Sequence, residues 1–384
     1  MFIKKLIFLT IMVLAFAQDT RFIDEVFSEV RVTPDIVYGN APDLPFLFLF
    51  EWNTYDIDLH MDIYEPEGDT MEDRPVIIFA HSGAFFTGSK EAQDMVELCK
   101  ESARRGYVAI SMEYRLGLNI LSSYSGERAV YRGVQDGSAI IRYLREYHSE
   151  FNINPNKIFF WGSSAGSFIG LHLSYIEELE RPGSTYGNDF DPDLGCIDCE
   201  GNSFMHDNKP TAVIATWGAV ADLDYIDNYE NVPVALFHGT NDIVVPYNEG
   251  YPFTLNITLP FVYGSQKVSE RLTEFNIDNH LVIENGEPHE YYGAVNGNLN
   301  LGGGPNQFWD DILQDSYEFL FSHLDMLGDV NNDGLLNIQD IVILINYILG
   351  IDQYDDEDFQ NADINLDGTL NVLDVIIIVD LITY

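Results

Sequence analysis

Ile158-Phe-Phe-Trp-Gly-Ser-Ser-Ala-Gly166 is the stretch on which the fold turns. A short apolar run with bulky aromatic residues reads as a strand buried on both faces. The next segment, Ala165 to Glu180, reads as a helix. Between them, Gly162-Ser163-Ser164-Ala165-Gly166 places a serine on a sharp strand-to-helix turn. A residue there is held in a strained backbone conformation, and the flanking glycines remove side chains that would collide. The turn also aims the Ala165 backbone N–H, at a helix start, toward negative charge developing at the Ser164 hydroxyl.

Outward from this elbow the chain alternates strand and helix patterns from Tyr55 to about Leu324. Tyr55 to Tyr64 alternates with period two, as a half-exposed antiparallel strand does. Pro75 to Ala80, Tyr107 to Ser111, Ala212 to Thr216 and Val232 to Phe237 are continuous apolar runs. Helical patterns at Glu91 to Arg105 and Ala129 to Tyr147 separate some of them. Such alternation predicts a mostly parallel sheet with helices on both faces. Two segments break the rhythm. Arg181 to Pro210, rich in Gly, Asp, Asn and Pro, reads as an inserted surface loop that could lie over the site as a lid. Asn248 to Thr273 reads as a second insertion.

The serine needs a base, an acid to orient it, and donors for an oxyanion. His81-Ser-Gly-Ala-Phe85 follows the Pro75 strand, and its small residues let the Gly83 and Ala84 N–H groups join Ala165 in an oxyanion hole. Asp242 follows the Val232 strand, at the sheet edge where ligands gather. Asp224, just after the preceding strand, is the second candidate for the acid. Of the nine histidines, eight fall in strand or helix patterns, in loops already assigned or in the insertion. His289, in Gly286-Glu-Pro-His-Glu-Tyr-Tyr292, is left between the last strand and the final helix. Ser164, Asp242 and His289 in that chain order predict nucleophilic acyl transfer without a catalytic cofactor.

Composition narrows the function class. Net charge is −43, and no Lys or Arg occurs beyond Arg271. Nucleic acid and anionic lipid surfaces, which need basic contacts, are excluded as partners. Met1 to Ala17 carries Lys4 and Lys5, an apolar run and Ala15-Phe-Ala17, the pattern of a signal peptide cut before Gln18 and hence of a secreted chain. A membrane anchor is the alternative, but the run is short for a bilayer and no later stretch reaches about 18 uninterrupted apolar residues. After export, Cys196-Ile-Asp-Cys199 could close a small disulfide loop, while Cys99 sits in a helical pattern and should be buried.

Taken together, residues Tyr55 to about Leu324 resemble the carboxylesterase and lipase branch of the α/β-hydrolase superfamily. The resemblance rests on His81 to Phe85, Gln135-Asp136 before a helical Ile140-Ile-Arg-Tyr-Leu, the Ser164 elbow, the Asp242 loop and His289. Ser82 and Ala84 stand where relatives carry glycines. The resemblance implies an ester substrate, with acetylated or feruloylated polysaccharides among those used by relatives. A serine peptidase of the same fold, or a non-catalytic adhesion protein with a hydrolase-like body, are the competing readings.

After His323 the composition changes. Gly328 to Asp340 and Ala362 to Asp374 are copies of one acidic loop, each leading into an apolar helical run. The loops place oxygen ligands at positions 1, 3, 5, 7, 9 and 12: Asp329, Asn331, Asp333, the Leu335 carbonyl, Asn337 and Asp340, then Asp363, Asn365, Asp367, the Thr369 carbonyl, Asn371 and Asp374. Gly334 and Gly368 occupy the sharp turn. Hard oxygen donors in this spacing suit two structural Ca²⁺ ions, with binding coupled to folding. Asp at position 12 and the tandem arrangement resemble a type I dockerin, which implies a cohesin-like or cell-surface partner. Positions 10 and 11 are Ile338-Gln339 and Val372-Leu373, without the hydroxyl pairs common there. The expected organisation is a signal peptide (1–17), an α/β-hydrolase domain (18–324) and a small all-α dockerin-like calcium domain (325–384).

Overall fold

The computed structural model describes residues 21–45, 51–119, 121–255, 259–324, 328–331, 336–354, 359, 361–365 and 368–383. The expected signal peptide, and Asp333, Leu335 and Asp367 of the acidic loops, lie outside them. The chain divides into two compact units, Glu25–Phe319 and one built on Leu320–Tyr384.

The larger unit is built on eight strands: β1 (Val30–Asp43), β2 (Tyr55–Pro66), β3 (Arg74–Ala80), β4 (Val108–Met112), β5 (Ile153–Ser163), β6 (Val213–Thr216), β7 (Val234–Gly239) and β8 (Asn279–Glu284). Their order in the sheet is β1-β2-β4-β3-β5-β6-β7-β8. β2 runs antiparallel to β1 and β4, and the pairings from β4 through β8 are all parallel. β3, β6 and β7 are buried along their whole length, which explains their unbroken apolar runs. Each buried Val, Ile or Phe contributes about 2 kcal/mol of transfer free energy.

The longer helices that accompany the sheet are α1 (Gln93–Arg104), α2 (Ser123–Glu146), α3 (Ala165–Tyr175), α4 (Ser265–Glu274) and α5 (Gln307–Phe321). α2 starts six residues before the expected Ala129, where the Ser122 hydroxyl caps it by accepting the Ser125 amide at 3.3 Å. The second insertion resolves into α4 and a small sheet in which Val262–Gly264 pairs with Ala219–Val220 and Glu249–Gly250. No described helix is long and apolar enough to cross a membrane.

The segment from Arg181 to Pro210 is strapped down. Donors along one face of α2 take its carbonyls in sequence. Arg128 holds Ser184 and Pro192, the Tyr131 hydroxyl holds Gly195, Gln135 holds Leu194 and Cys196, and Arg142 holds Glu200, Asn202 and Phe204. Cys196 and Cys199 are bonded and Cys99 is free and buried.

In the smaller unit α6 (Ile338–Ile348) and α7 (Val372–Thr383) each succeed one acidic loop. Val330, Leu344, Ala362 and Ile378 form its core.

Candidate active site

Ser164 sits between β5 and α3 with φ 52° and ψ −110°, a conformation that costs an L-residue energy. The flanking glycines are required by contact. A Cβ on Gly162 would lie 2.2 Å from the Gly166 carbonyl, and one on Gly166 would lie 2.0 Å from the Ala80 oxygen. The Ser164 amide donates to Thr216 O at 3.0 Å, tying the elbow to β6.

The candidate acid and base arrive from later strands. His289 Nε2 is 2.9 Å from Ser164 Oγ, and its Nδ1 is 2.6 Å from Asp242 Oδ2. Asp242 lies just beyond β7 and has a fully shielded side chain, whose Oδ1 accepts the amides of Val244 and Val245 at 2.7 and 2.9 Å. Burial alone would raise this carboxyl; hydrogen bonds and attraction from His238 and His289 outweigh it and hold it well below the usual carboxylate range. Asp224, the second candidate for the acid, is exposed and faces Arg271 at 3.8 Å.

The loop after β3 is bent hard. Gly83, Ala84 and Phe85 have φ of 122°, 55° and 54°. The Tyr114 hydroxyl donates to His81 O at 2.8 Å, and the His81 ring stacks on Tyr114. Ala84 and Ala165 line the same cavity as Ser164, and Gly83 is outside that lining. The Gly83 carbonyl accepts the amides of Phe86 and Thr87.

That cavity has a volume of about 480 Å³. Its walls are apolar, with Phe85, Val130, Phe168 and Leu259 among them, and the strapped insertion adds Pro182 and Gly183. His172 is also in the wall. Its Nδ1 donates to Phe168 O at 2.7 Å and its Nε2 accepts the Ala221 amide at 3.1 Å, so the ring is neutral and presents a carbon face. Burial lowers it to about 4.

Two parts of the site escaped sequence reasoning. Behind the nucleophile, the Ser163 hydroxyl accepts Trp217 Nε1–H at 3.0 Å, and Tyr292 donates to the buried Asp94 at 2.6 Å. Trp217 also packs against His289 and Tyr292. The other is His238, which touches Asp242; its spacing in His238-Gly-Thr-Asn-Asp242 was the available signal.

Residues 61–223 match the BD-FAE family model, and residues 327–382 match the Dockerin type I domain model. The chain joins an α/β-hydrolase domain to a dockerin type I domain. Over 122 residues the hydrolase domain is 34% identical to Carboxylesterase 3B of Mus musculus, covering 31% of this chain and 21% of that protein. It is 27% identical over 111 residues to Para-nitrobenzyl esterase of Bacillus subtilis, 28% of this chain and 22% of that one. The chain thus spans about a fifth of the length of these curated relatives. Thermogutta terrifontis esterase 2, solved after phosphorylation by paraoxon, is similar with a TM-score of 0.49 and 21% identity, over 77% of this chain and 94% of that one.

The dockerin domain buries carboxylates. Asp329, Asp340, Asp363 and Asp374 are all at most 5% exposed. Asp340 accepts the amides of Val330, Asn331 and Asn337, and Asp374 those of Asn365 and Asn371. An all-oxygen donor set of this kind, in a stretch of chain without Lys or Arg, fits a hard divalent cation.

Proposed function

We propose that the protein is a secreted serine carboxylic-ester hydrolase, carried to its substrate by a calcium-folded dockerin domain. The observation that supports this most is the unbroken line Ser164 Oγ, His289 Nε2, His289 Nδ1, Asp242 Oδ2 at 2.9 and 2.6 Å, opening on an apolar cavity.

In this reading His289 Nε2 takes the Ser164 proton as Oγ bonds to the acyl carbon. The amides of Ala165 and Ala84, with Gly83 as the third candidate, hold the oxyanion. Collapse expels the alkoxide, protonated by His289, and leaves an acyl-enzyme. Water, deprotonated by the same imidazole, then releases the acid and restores Ser164. Asp242 keeps the Nδ1–H tautomer and stabilises the imidazolium. No catalytic cofactor is needed.

Ca²⁺ would be held in the first loop by Asp329, Asn331, Asp333, the Leu335 carbonyl, Asn337 and Asp340, and in the second by Asp363, Asn365, Asp367, the Thr369 carbonyl, Asn371 and Asp374. It would neutralise the carboxylates and fix the loops. A cohesin-like or cell-surface partner for this domain would concentrate the enzyme on an acylated polymer such as a polysaccharide. Export through the Met1–Ala17 signal peptide belongs to the same reading.

A fluorophosphonate probe should label Ser164 in the wild type and nothing in Ser164→Ala. A panel of p-nitrophenyl esters beside peptides should show ester turnover. Cleavage of peptides alone would replace the esterase reading with the peptidase one, and absence of labelling would leave a non-catalytic protein.

A further inference from the structure

His238 is the last residue but one of β7 and is wholly buried. Its Nε2 lies 3.1 Å from the Val245 carbonyl oxygen and 3.2 Å from Asp242 Oδ2. A carbonyl and a carboxylate only accept, so Nε2 carries the proton. On the other side Nδ1 faces Ser265 Oγ at 2.8 Å, and a neutral ring with its proton on Nε2 accepts the Ser265 hydroxyl there. Asp242 Oδ2 is therefore shared: His289 Nδ1–H reaches it at 2.6 Å from one side and His238 Nε2–H from another.

We infer that His238 is a positioning residue of the reaction: it donates Nε2–H to Asp242 Oδ2, holding the carboxylate in the plane that His289 needs and sharing its charge. The inference rests on the proposed triad and adds a fourth member that never touches substrate. The amides of Val244 and Val245 fix the other oxygen, so the carboxylate is held at both ends. With His238 in place, part of the Oδ2 charge is committed before His289 becomes cationic. Without it, Oδ2 keeps its full charge for the imidazolium and binds it more strongly.

The groups around this assembly are few. From the loop after β8 come His289 itself and Glu290, which turns to the amides of Asn296 and Gly297. Glu287, in the same loop, gives its backbone carbonyl to the Asn241 amide. α4 presents Ser265, while its Lys267 pairs with Glu270. From beyond β6, Trp217 contributes a ring.

The test compares His238→Phe, which keeps a ring without a donor, with His238→Gln, which restores an N–H donor near the Nε2 position. kcat/KM for a p-nitrophenyl ester is measured from pH 5 to 9, and the low-field Nδ1 proton of His289 is tracked by NMR. In His238→Phe, kcat/KM should fall about tenfold, the worth of one hydrogen bond to a charged group. Its acid limb should move to higher pH, and the Nδ1 resonance should shift. His238→Gln should recover most of the rate and the limb position. A limb and resonance unmoved in His238→Phe, or a His238→Gln indistinguishable from it, overturns the inference. If His238→Phe does not fold, the ¹⁵N shifts of wild-type His238 decide instead: a proton on Nδ1 and none on Nε2 overturns it. Since the resonance needs no substrate, a wild type without ester turnover would sink the hydrolase reading and still leave the role of His238 decidable.

Discussion

A Cβ placed on Gly239 would lie 2.2 Å from the carbonyl oxygen of Glu287. Gly239 ends β7 three residues before Asp242, and Glu287 lies two residues before His289, so the loops carrying acid and base touch through a missing side chain. The Asn241 amide adds a bond to Glu287 O at 2.9 Å. Gly239→Ala must push the loops apart. Overpacking there should cost about 1–3 kcal/mol of stability, and misplacement near 1 Å should cost about 100-fold in rate. Thermal melts and the rate of fluorophosphonate labelling would measure both.

The strap over α2 predicts resistance to proteolysis. Three carbonyls, those of Glu200, Asn202 and Phe204, hang on Arg142. Arg142→Ala leaves them without that donor, at about 1–3 kcal/mol for each that stays buried and unpaired. Limited proteolysis should nick the variant within 181–210 under conditions that spare the wild type. Equal cleavage of the two would show that Arg142 does not hold the segment closed.

Both the elbow and the grouping of Ser164, Asp242 and His289 were legible from residue order, because such chemistry demands a serine on a turn, with an acid and a base on later loops. The strapping of residues 181–210 was not, since the spacing of Arg128, Gln135 and Arg142 does not say which carbonyls they hold until the chain that covers them is in place. β1 was unreadable for a related reason: Pro34, Asp35 and Tyr38 fall where its pairing with β2 shifts register, erasing the period-two signal. His238 was set aside as the start of a loop, although its ring turns back on Asp242.

Asp94 makes stability depend on pH. Burial pushes its carboxyl up to about 6, partly offset by the Tyr292 hydroxyl bond. In the unfolded chain the same group titrates near 4. The native state thus holds the proton more tightly. Its stabilising contribution is complete below about pH 4 and is lost as pH rises through about 6, a change of about 3 kcal/mol. Asp94→Asn cannot titrate, so the difference between wild type and variant in urea-derived stability should vary with that sign between pH 4 and 7. A constant difference would show that Asp94 keeps an ordinary carboxyl.

Cavity shape predicts the range of acyl groups. A volume of about 480 Å³ exceeds what an acetyl group fills, and the lining around Ser164 is mostly carbon surface. Ala221 stands in that wall, and only its backbone amide is used by His172. Ala221→Phe keeps that amide and fills space. Turnover of butyrate and longer esters should fall about tenfold or more, while acetate is spared, since lost apolar contact is worth about 1–3 kcal/mol per group. Equal losses across chain lengths would place the acyl group elsewhere.

Calcium removal should act on the dockerin domain alone. Asp340 accepts loop amides through both oxygens and, with Asn337, closes a capping box on α6. The same carboxylate is the proposed position-12 ligand, so metal binding and helix capping would depend on one side chain. A chelator leaves the acidic side chains of these loops to repel one another, and folding energy supplied by the metal is withdrawn. Trypsin finds no Lys or Arg after Arg271, so chymotrypsin or thermolysin is the useful probe. With EGTA, cleavage should appear between 328 and 384, and ester turnover should persist because the triad lies wholly in the other unit. Asp340→Ala should show the same cleavage in saturating Ca²⁺, having lost a ligand and a cap together. Asp340→Asn keeps an acceptor for the cap but surrenders the charge. Full protection of Asp340→Asn at low Ca²⁺ would assign the stability of this domain to capping and to its apolar core, with no share for the metal.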